Sequence, residues 1–491
     1  YNVNVIYTEG IDKTDVISGT DYNTELLRII EIEIDNFNSG KFKQIEDSST
    51  SRYVGIIFRP GIADIEKTIK LIETRFGTNV YICKSYSDMT DDEYKDFERK
   101  IDDRVKIIVG TNILESSITI PNVRFVIDDL LEKIVVTDNS KGTRLSLSVI
   151  TKSSSEQRKG RTGRNCDGTV YRIISQDSYE ELENYRPRDV DRIPIYDDVL
   201  KILDIDRSPC SLLNLSPKRY QDILRVLVDN KCIEFENRSV TDSKARTKDS
   251  PLRTTDVLIR TTPKGKFVAS IPLSLYNACM LYNLDHNYNP SPNTRLMCIF
   301  ICCMMDVYSG RIYHIPKEYK DDKGYENKIR EKHQASSKDD IDVLFSMIVD
   351  LQRSTETPKK WCHENSINFK YIKDVISRVE MVKDRLRIGG SLDGLLDTTI
   401  DRSIIKRAFL DTFTDRYNCV GTNAEMISGT DIIKGQFRLN RYSVFTFGKE
   451  KRLDNKSIAC AYIEQTTSSS GIVNRLFFIV QDDIASLKKY R

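Results

Sequence analysis

VKIIVGTNILESSITIPNVRFVID, residues Val105 to Asp128, is the stretch on which the fold turns. It begins with a β-branched run, VKIIV, closes with another, RFVID, and sets Gly110, Thr111 and Asn112 directly after the first. A strand that is apolar on consecutive residues is buried on both faces, as in a parallel sheet. The same kind of run recurs at VGIIF (Val54 to Phe58), VYIC (Val80 to Cys83) and VYRII (Val170 to Ile174), separated by helical segments such as ADIEKTIKLIETRF and TDDEYKDFERKI. Strands of this kind alternating with amphipathic helices predict an α/β layer with a parallel sheet covered on both sides. Ligands of such sheets sit at the carboxyl ends of the strands. Gly110 to Asn112 fall just beyond one such end, and a basic cluster at 158–164 is expected just beyond, or one loop from, another.

That cluster lies in SSSEQRKGRTGRNCDG, Ser153 to Gly168. Ser153 followed by Glu156 has the form of a capping box, so a helix is expected to start there. On it Gln157, Arg161 and Arg164 fall at steps of four and three, on one face. Guanidinium groups stay charged and bind phosphate oxygens in pairs, so a forked donor set on one face suits a polyphosphate. Gly160 and Gly163 let another surface approach the backbone. The plainer reading of such a run is a solvated helix face.

The chain has 491 residues, with 75 Lys plus Arg against 73 Asp plus Glu, a net charge of +2. That balance implies no polyanionic partner for the molecule as a whole, so any basic site has to be local. Eleven cysteines include no CxxC pair and are accompanied by four histidines, a pattern that supports neither a zinc site nor a disulfide scaffold. Reduced thiols fit a cytoplasmic or nuclear location. The longest apolar run, Leu296 to Met305, is about half the length of a membrane span and is expected to be a buried helix. The sequence has no initiating Met and opens in the strand-like YNVNVIY, so a preceding segment is expected.

KIVVTD and TRLSLSV, alternating on either side of Asn139-Ser140-Lys141-Gly142, predict a β-hairpin made basic by Lys133, Lys141 and Arg144. It is either a finger on a phosphate backbone or an ordinary solvated hairpin. Ser216-Pro217 predicts a helix start as N-cap and N1, with an apolar stripe of Ile223, Leu224, Leu227 and Val228. The strand KCIEF, a basic loop and VLIRTTPKG follow, an order that suggests a winged helix. From Ile271 to about Phe413 the chain reads as helical, interrupted by a polar loop around 316–338, and from Asp415 as short strands consistent with a small β-barrel.

Three of these segments together resemble one family. IIVGTNILESSITIPNVRFVID resembles motif V of the DEAH/RHA superfamily 2 helicases, QRKGRTGR their motif VI and IIFRPGIADIE their motif IV. LSPKRYQDILRVLVDNKCIEF with RTTPKGKFVASIPLSLYNACML is similar to their winged-helix region, and WCHENSINFKYIKDVISRVEMVKDRL to their ratchet-like domain. LESSITI and QRKGR also look like viral members related to the poxvirus nucleoside triphosphatase helicase. The resemblance implies a second RecA-like domain (1–187), a winged helix (188–270), a helical ratchet-like domain (271–413) and an OB-like barrel (414–491).

It also implies roles. Arg161 and Arg164 would be arginine fingers, and Gln157 would place the γ-phosphate or the attacking water. Phe97 would stack on the base, its alternative being a core Phe; Glu115, Ser117 and Thr119 would serve the nucleotide site. Thr111, Asn112, Ser116, Lys141 and Arg144 would meet the nucleic-acid strand. The implied cofactor is ATP or another NTP with Mg²⁺, shared with a first RecA-like domain of the same protein. The implied partner is single-stranded RNA or DNA, with 3′–5′ movement, in a viral or RNA-processing complex; a viral protein would work in a virion or viral factory. Pro121 stands where the family usually has Asp, and the sequence contains neither a GxxxxGK[ST] loop nor a DExH box. This stretch is therefore expected to form about half of an NTP site. The rival reading is a module that binds single strands without NTP, and a third is a structural subunit.

Trp361, Cys362 and His363 are read as structural, and Cys298, Cys302 and Cys303 with their neighbouring methionines as soft core packing. His286, His314 and His333 are read as surface residues. Asn440 to Ser443 are read as a surface strand, with nucleic-acid contact as the alternative.

Overall fold

The computed structural model describes residues 1–19, 21–40, 50–87, 89, 91–116, 119–138, 142–205, 207–237, 257–307, 312–315, 319, 322–334, 337–389 and 400–412, and, as backbone strands, 417–419, 425–428, 431–434, 437–439, 457–468 and 471–483. The chain divides into two units: Tyr1–Val136 with Arg144–Arg192 and Thr467–Gly471, and Thr137–Thr143 with Ile193–Thr466 and Ile472–Arg491.

The first unit contains β1 (Val3–Tyr7), α1 (Lys13–Ser18), α2 (Tyr22–Asn38), β2 (Val54–Phe58), α3 (Ile62–Phe76), β3 (Val80–Ser85), α4 (Asp91–Glu98), β4 (Val105–Gly110) and β5 (Val123–Asp128). A hairpin of β6 (Leu131–Asp138) and β7 (Gly142–Val149) follows, then α5 (Lys152–Lys159), β8 (Gly168–Arg172), α6 (Gln176–Glu180) and α7 (Asp189–Arg192). Six strands form one sheet in the order β1-β8-β5-β2-β4-β3, and every pairing in it is parallel.

Alternating strand residues supply two separate cores. Ile57, Ile107, Val109, Phe125 and Ile127 face one side, together with Leu26, Ile29, Ile30 and Phe37 of α2 and Ile65 and Ile72 of α3. Ile56, Phe58, Ile108, Val126 and Val170 face the other, with Phe97 of α4 and Leu114. Fully burying each such side chain stabilises by roughly 1.5–3 kcal/mol, which is why consecutive apolar residues mark the sheet's strands. Buried polar groups are tied down. Glu33 on α2 accepts the hydroxyls of Tyr53 and Tyr171, both at 2.6 Å. Lys106 in β4 donates to the carbonyls of Phe97 (2.6 Å) and Arg99 (2.7 Å), supplying a cation at the carboxyl end of α4.

The second unit begins with α8 (Tyr196–Asp204), α9 (Pro209–Leu213) and α10 (Pro217–Asp229). Ser216 caps α10 by accepting the Arg219 N–H, with Pro217 in the first turn, as the sequence predicts. An antiparallel ribbon of β9 (Ile233–Asn237) and β10 (Val257–Thr261) follows. Next come α11 (Pro263–Ser270), α12 (Leu275–Tyr288), α13 (Pro292–Asp306), α14 (Lys323–Gln334), α15 (Asp340–Arg353), α16 (Pro358–Glu364), α17 (Phe369–Leu386) and α18 (Arg402–Thr412).

Leu296 to Met305 of α13 are all buried, so the cysteine and methionine cluster is core. Trp361 and Cys362 are buried in α16. Two expectations change here. Much of the polar loop expected at 316–338 is helix α14, whose Arg330, His333 and Gln334 are buried. His333 is therefore no surface residue: one side of this charged helix packs inward. The C-terminal strands are Tyr417–Cys419, Glu425–Ser428, Asp431–Lys434, Phe437–Leu439, Ser457–Ser468 and Gly471–Asp483. Asn440 to Ser443 lie outside the described residues. Among the described residues no helix is long and apolar enough to cross a membrane.

Candidate nucleotide and strand interface

Helix α5 starts two residues earlier than the capping-box reading expects. Thr151, with extended backbone, is the N-cap, and its side chain accepts the Ser154 N–H at 3.3 Å. Glu156, freed from capping, accepts Arg172 (2.6 Å) and Lys159 (2.8 Å) instead. Ser154, Ser155 and Arg158 form the buried face of α5, and Gln157 is exposed. The helix ends at Lys159, so Arg161 and Arg164 belong to the following turn and not to a helical face shared with Gln157.

The buried arginine of this motif is a hub. Arg158 is 1% exposed. Its Nε donates to Glu115 (2.8 Å), its Nη1 to Asp128 (2.7 Å) and Asp129 (3.2 Å), and its Nη2 to the Leu131 carbonyl (3.0 Å). Its guanidinium lies over the Phe58 ring at 4.6 Å. Ser155 adds a bond to Asp128 (2.8 Å), and Arg59 pairs with Asp129 (3.2 Å). Burial works against the charge on Arg158, but Asp128, Asp129 and Glu115 outweigh it and hold the group above its ordinary value. Burial raises Glu115, and pushes Asp129 up to about 6 against the pull of Arg59 and Arg158. Phe58, Asp128 and Asp129 stand at the carboxyl ends of β2 and β5, and the 3₁₀ turn Asn112–Glu115 follows β4. The hub thus closes the carboxyl edge of the sheet and bolts that turn to α5.

The chain leaves this hub after Arg161, and the expectation that the whole basic cluster sits near strand carboxyl ends is corrected from Thr162 onward. Thr162 donates to the carbonyl of Val123, the first residue of β5, at 2.5 Å. Asn165 donates to Asn122 (2.7 Å), and the Gly168 N–H to Asn2. The turn after α5 therefore reaches the amino edge, because the helix runs antiparallel to the strands. Gly163 has φ +76, and a Cβ there would lie 2.3 Å from Val3 Cγ2, so glycine is required. A Cβ on Gly160 would meet only backbone oxygens at 3.4 Å or more. Arg161 is half-buried and Arg164 exposed, with Arg164 Nε donating to the Gly160 carbonyl at 3.0 Å. Burial and the neighbouring Arg164 charge lower Arg161, opposed by Glu115.

The other expected site residues scatter. Thr111 caps the 3₁₀ turn at the end of β4, its N–H donated to the Ser85 carbonyl (3.1 Å); Asn112, Ser116 and Thr119 are exposed. Glu115 is buried on Arg158. Phe97 is buried in the core with Phe58 and Ile108, the alternative the sequence left open. Ser117 and Lys141 lie outside the described residues, as does the side chain of Arg144 in β7. Sequence reasoning passed over Arg59, Asp128 and Asp129. Their signal was charge placed immediately after a fully apolar strand.

Residues 40–166 match the helicase conserved C-terminal domain. The probable ATP-dependent RNA helicase spindle-E of Drosophila yakuba is 34% identical over 183 residues, 35% of this chain and 13% of that protein. That of Culex quinquefasciatus is 33% identical over 202 residues, 38% of this chain and 14% of the relative. The E. coli DExH-box NTPase HrpB is similar in fold, with a TM-score of 0.61 at 16% identity, over 100% of this chain and 47% of that one. The chain thus matches about half of the solved structure and under a sixth of the curated relatives.

Proposed function

We propose that this chain is the C-terminal part of an NTP-dependent RNA or DNA helicase that couples hydrolysis to 3′–5′ movement on a single strand. In this reading residues 1–187 are a second RecA-like domain, 188–270 a winged helix, 271–413 a ratchet-like domain and 414–491 an OB-like barrel. A viral origin, near the poxvirus nucleoside triphosphatase helicases, is part of the same proposal. The observation that carries it is the match of residues 40–166, a segment that holds both Arg161 and Arg164, to the helicase conserved C-terminal domain.

NTP with Mg²⁺, held by a preceding RecA-like domain, would supply the phosphoryl group. Arg161 and Arg164 would neutralise charge growing on its oxygens, an effect of about 10³–10⁵ in rate for arginine fingers elsewhere. Gln157, exposed on α5, would orient the attacking water. Thr111, Asn112 and Ser116 would grip the strand, with Lys141 and Arg144 of the hairpin beside it. The hub couples these actions, since Arg158 ties α5 to the turn that begins at Asn112. The test is NTP turnover by the longer natural protein carrying Arg161→Ala or Arg164→Ala. Turnover should collapse while single-strand binding persists. Unchanged turnover removes the finger assignment and leaves the alternative, a strand-binding module that works without NTP.

A further inference from the structure

The hub at the carboxyl edge of the first unit's sheet is unevenly charged. Glu115, Asp128 and Asp129 bring three carboxylates to it, and Arg158 and Arg59 bring two guanidinium groups. The charges around it are matched among themselves: Glu132 of β6 pairs with Arg186, and Asp64 of α3 with Lys133. Arg161 acts on Glu115 alone of the three carboxylates, from a half-buried position. One negative charge is left over in a desolvated place, where it is costly.

The hydrogen bonds say which oxygen takes the balancing proton. Asp128 is held on both sides, by the Leu130 N–H (3.0 Å) and Arg158 Nη1 (2.7 Å) on Oδ1 and by Ser155 (2.8 Å) on Oδ2. Asp129, 1% exposed, accepts the Leu131 N–H (3.0 Å) and Arg158 Nη1 (3.2 Å) on Oδ1. Its Oδ2 accepts only Arg59 Nη1, at 3.2 Å, among the described residues. Tyr22 at the start of α2, Arg59 after β2, Asp128 beside it and Arg158 of α5 face Asp129 directly. Glu115 reaches it through Arg158, and Asp64 through Arg59. Burial pushes Asp129 up to about 6, with both arginines pulling the other way.

A proton on Oδ2 turns an acceptor into a donor that faces a donor. A guanidinium has no acceptor to offer it, so the bond to Arg59 is lost. Asp129 is the one ion-pair partner of Arg59 among the described residues. Arg158 loses much less, because Glu115, Asp128 and the Leu131 carbonyl still hold it.

We propose that Asp129 is a proton-operated bolt: as a carboxylate it bridges Arg59 to Arg158, and on taking one proton at Oδ2 it lets Arg59 go while Arg158 stays tied. Mild acid thus frees the side chain that follows β2 and leaves α5 joined to the turn that begins at Asn112. The bolt stands whether or not the chain belongs to a motor, since nothing in it involves NTP turnover.

The test is infrared titration of the full 491-residue chain, its aspartate carboxyls labelled with carbon-13, from about pH 7.5 to about pH 5. A protonated-aspartate band should grow in with a midpoint near 6 and be missing from Asp129→Asn. Asp197 of the second unit, which burial also pushes up to about 6, should give a band that this substitution leaves in place. Arg59→Ala should raise the proton affinity of Asp129 about tenfold, because Arg59 favours the carboxylate alone, and Arg59→Lys, which keeps the charge, should raise it less. Should Asp129→Asn fail to fold, the band that Arg59→Ala moves identifies Asp129 in the unaltered chain. The sign of the effect on stability follows from a folded value of about 6 above the ordinary 3.8: the contribution of Asp129 is complete below 3.8 and is lost as the pH rises through 6. Hydrogen-exchange protection of the β5 amides, relative to Asp129→Asn, should therefore rise about tenfold from pH 7.5 to pH 5. The proposal is overturned by the absence of any aspartate band that Asp129→Asn removes or Arg59→Ala moves, by a midpoint that Arg59→Ala leaves in place, or by relative protection that falls toward pH 5.

Discussion

Arg158 and the pair Arg161 and Arg164 share one short segment and meet opposite fates. Arg158 points into the sheet's carboxyl edge, where three carboxylates and a backbone carbonyl hold it. Arg161 and Arg164 leave the helix for the turn that leads to the amino edge, half-buried and exposed respectively. One residue type serves as a fully buried tie in the first place and stands partly or wholly in solvent in the second. The difference teaches that the number of arginines in such a motif says nothing about how many are available to a ligand. What decides is whether carboxylates from other strands reach the guanidinium first, since a desolvated arginine is tolerated only when it is paired and hydrogen-bonded.

The largest expected effect separates the two regions by function. Arg161→Ala and Arg164→Ala should lower NTP turnover of the longer protein by about 10³–10⁵ if they act as fingers. For the exposed Arg164→Ala the unfolding free energy in urea should move by no more than about 0.5 kcal/mol, as for most surface changes. Arg158→Met reverses the pattern. It leaves Glu115, Asp128 and Asp129 without their cation, and urea unfolding should report a loss of about 3–5 kcal/mol. A fully stable Arg158→Met protein would break the comparison. Gly163→Ala acts between the regions, because the positive φ and Val3 both oppose a Cβ; thermal melting should show a cost of about 1–3 kcal/mol.

The smallest effect sharpens where α5 begins. Thr151→Ala should cost about 1 kcal/mol in chemical denaturation as a lost N-cap, and Ser153→Ala roughly nothing. The reverse order would restore the capping box.

Legibility in the sequence followed the range of the interaction involved. The parallel sheet was readable because its central strands β2, β4 and β5 carry their burial on consecutive residues, and α10 because Ser216 and Pro217 are local signals. The charged stretch at 316–338 was misread as a loop because a helix with few apolar residues gives little periodic signal, and burial of His333 and Gln334 shows only once α15 is packed beside α14. Phe97 could be read either way until α4 was seen to press it against Phe58 and Ile108. The Ser153 cap was a near miss, since Thr151, Ser153, Ser154 and Ser155 are all able capping residues and only the exit of the chain from β7 chooses among them.

By itself the sequence determined the α/β layer and the helical centre of the second unit, because these rest on apolar runs and capping residues that act over one or two turns of chain. Only the tertiary structure decided which arginine is buried, where the chain turns after α5, and which histidine is buried. The partners involved come from afar: Glu115 lies 43 residues from Arg158, and Asp350 17 from His333. Ion pairing and desolvation depend on distance in space, which spacing along the chain does not record.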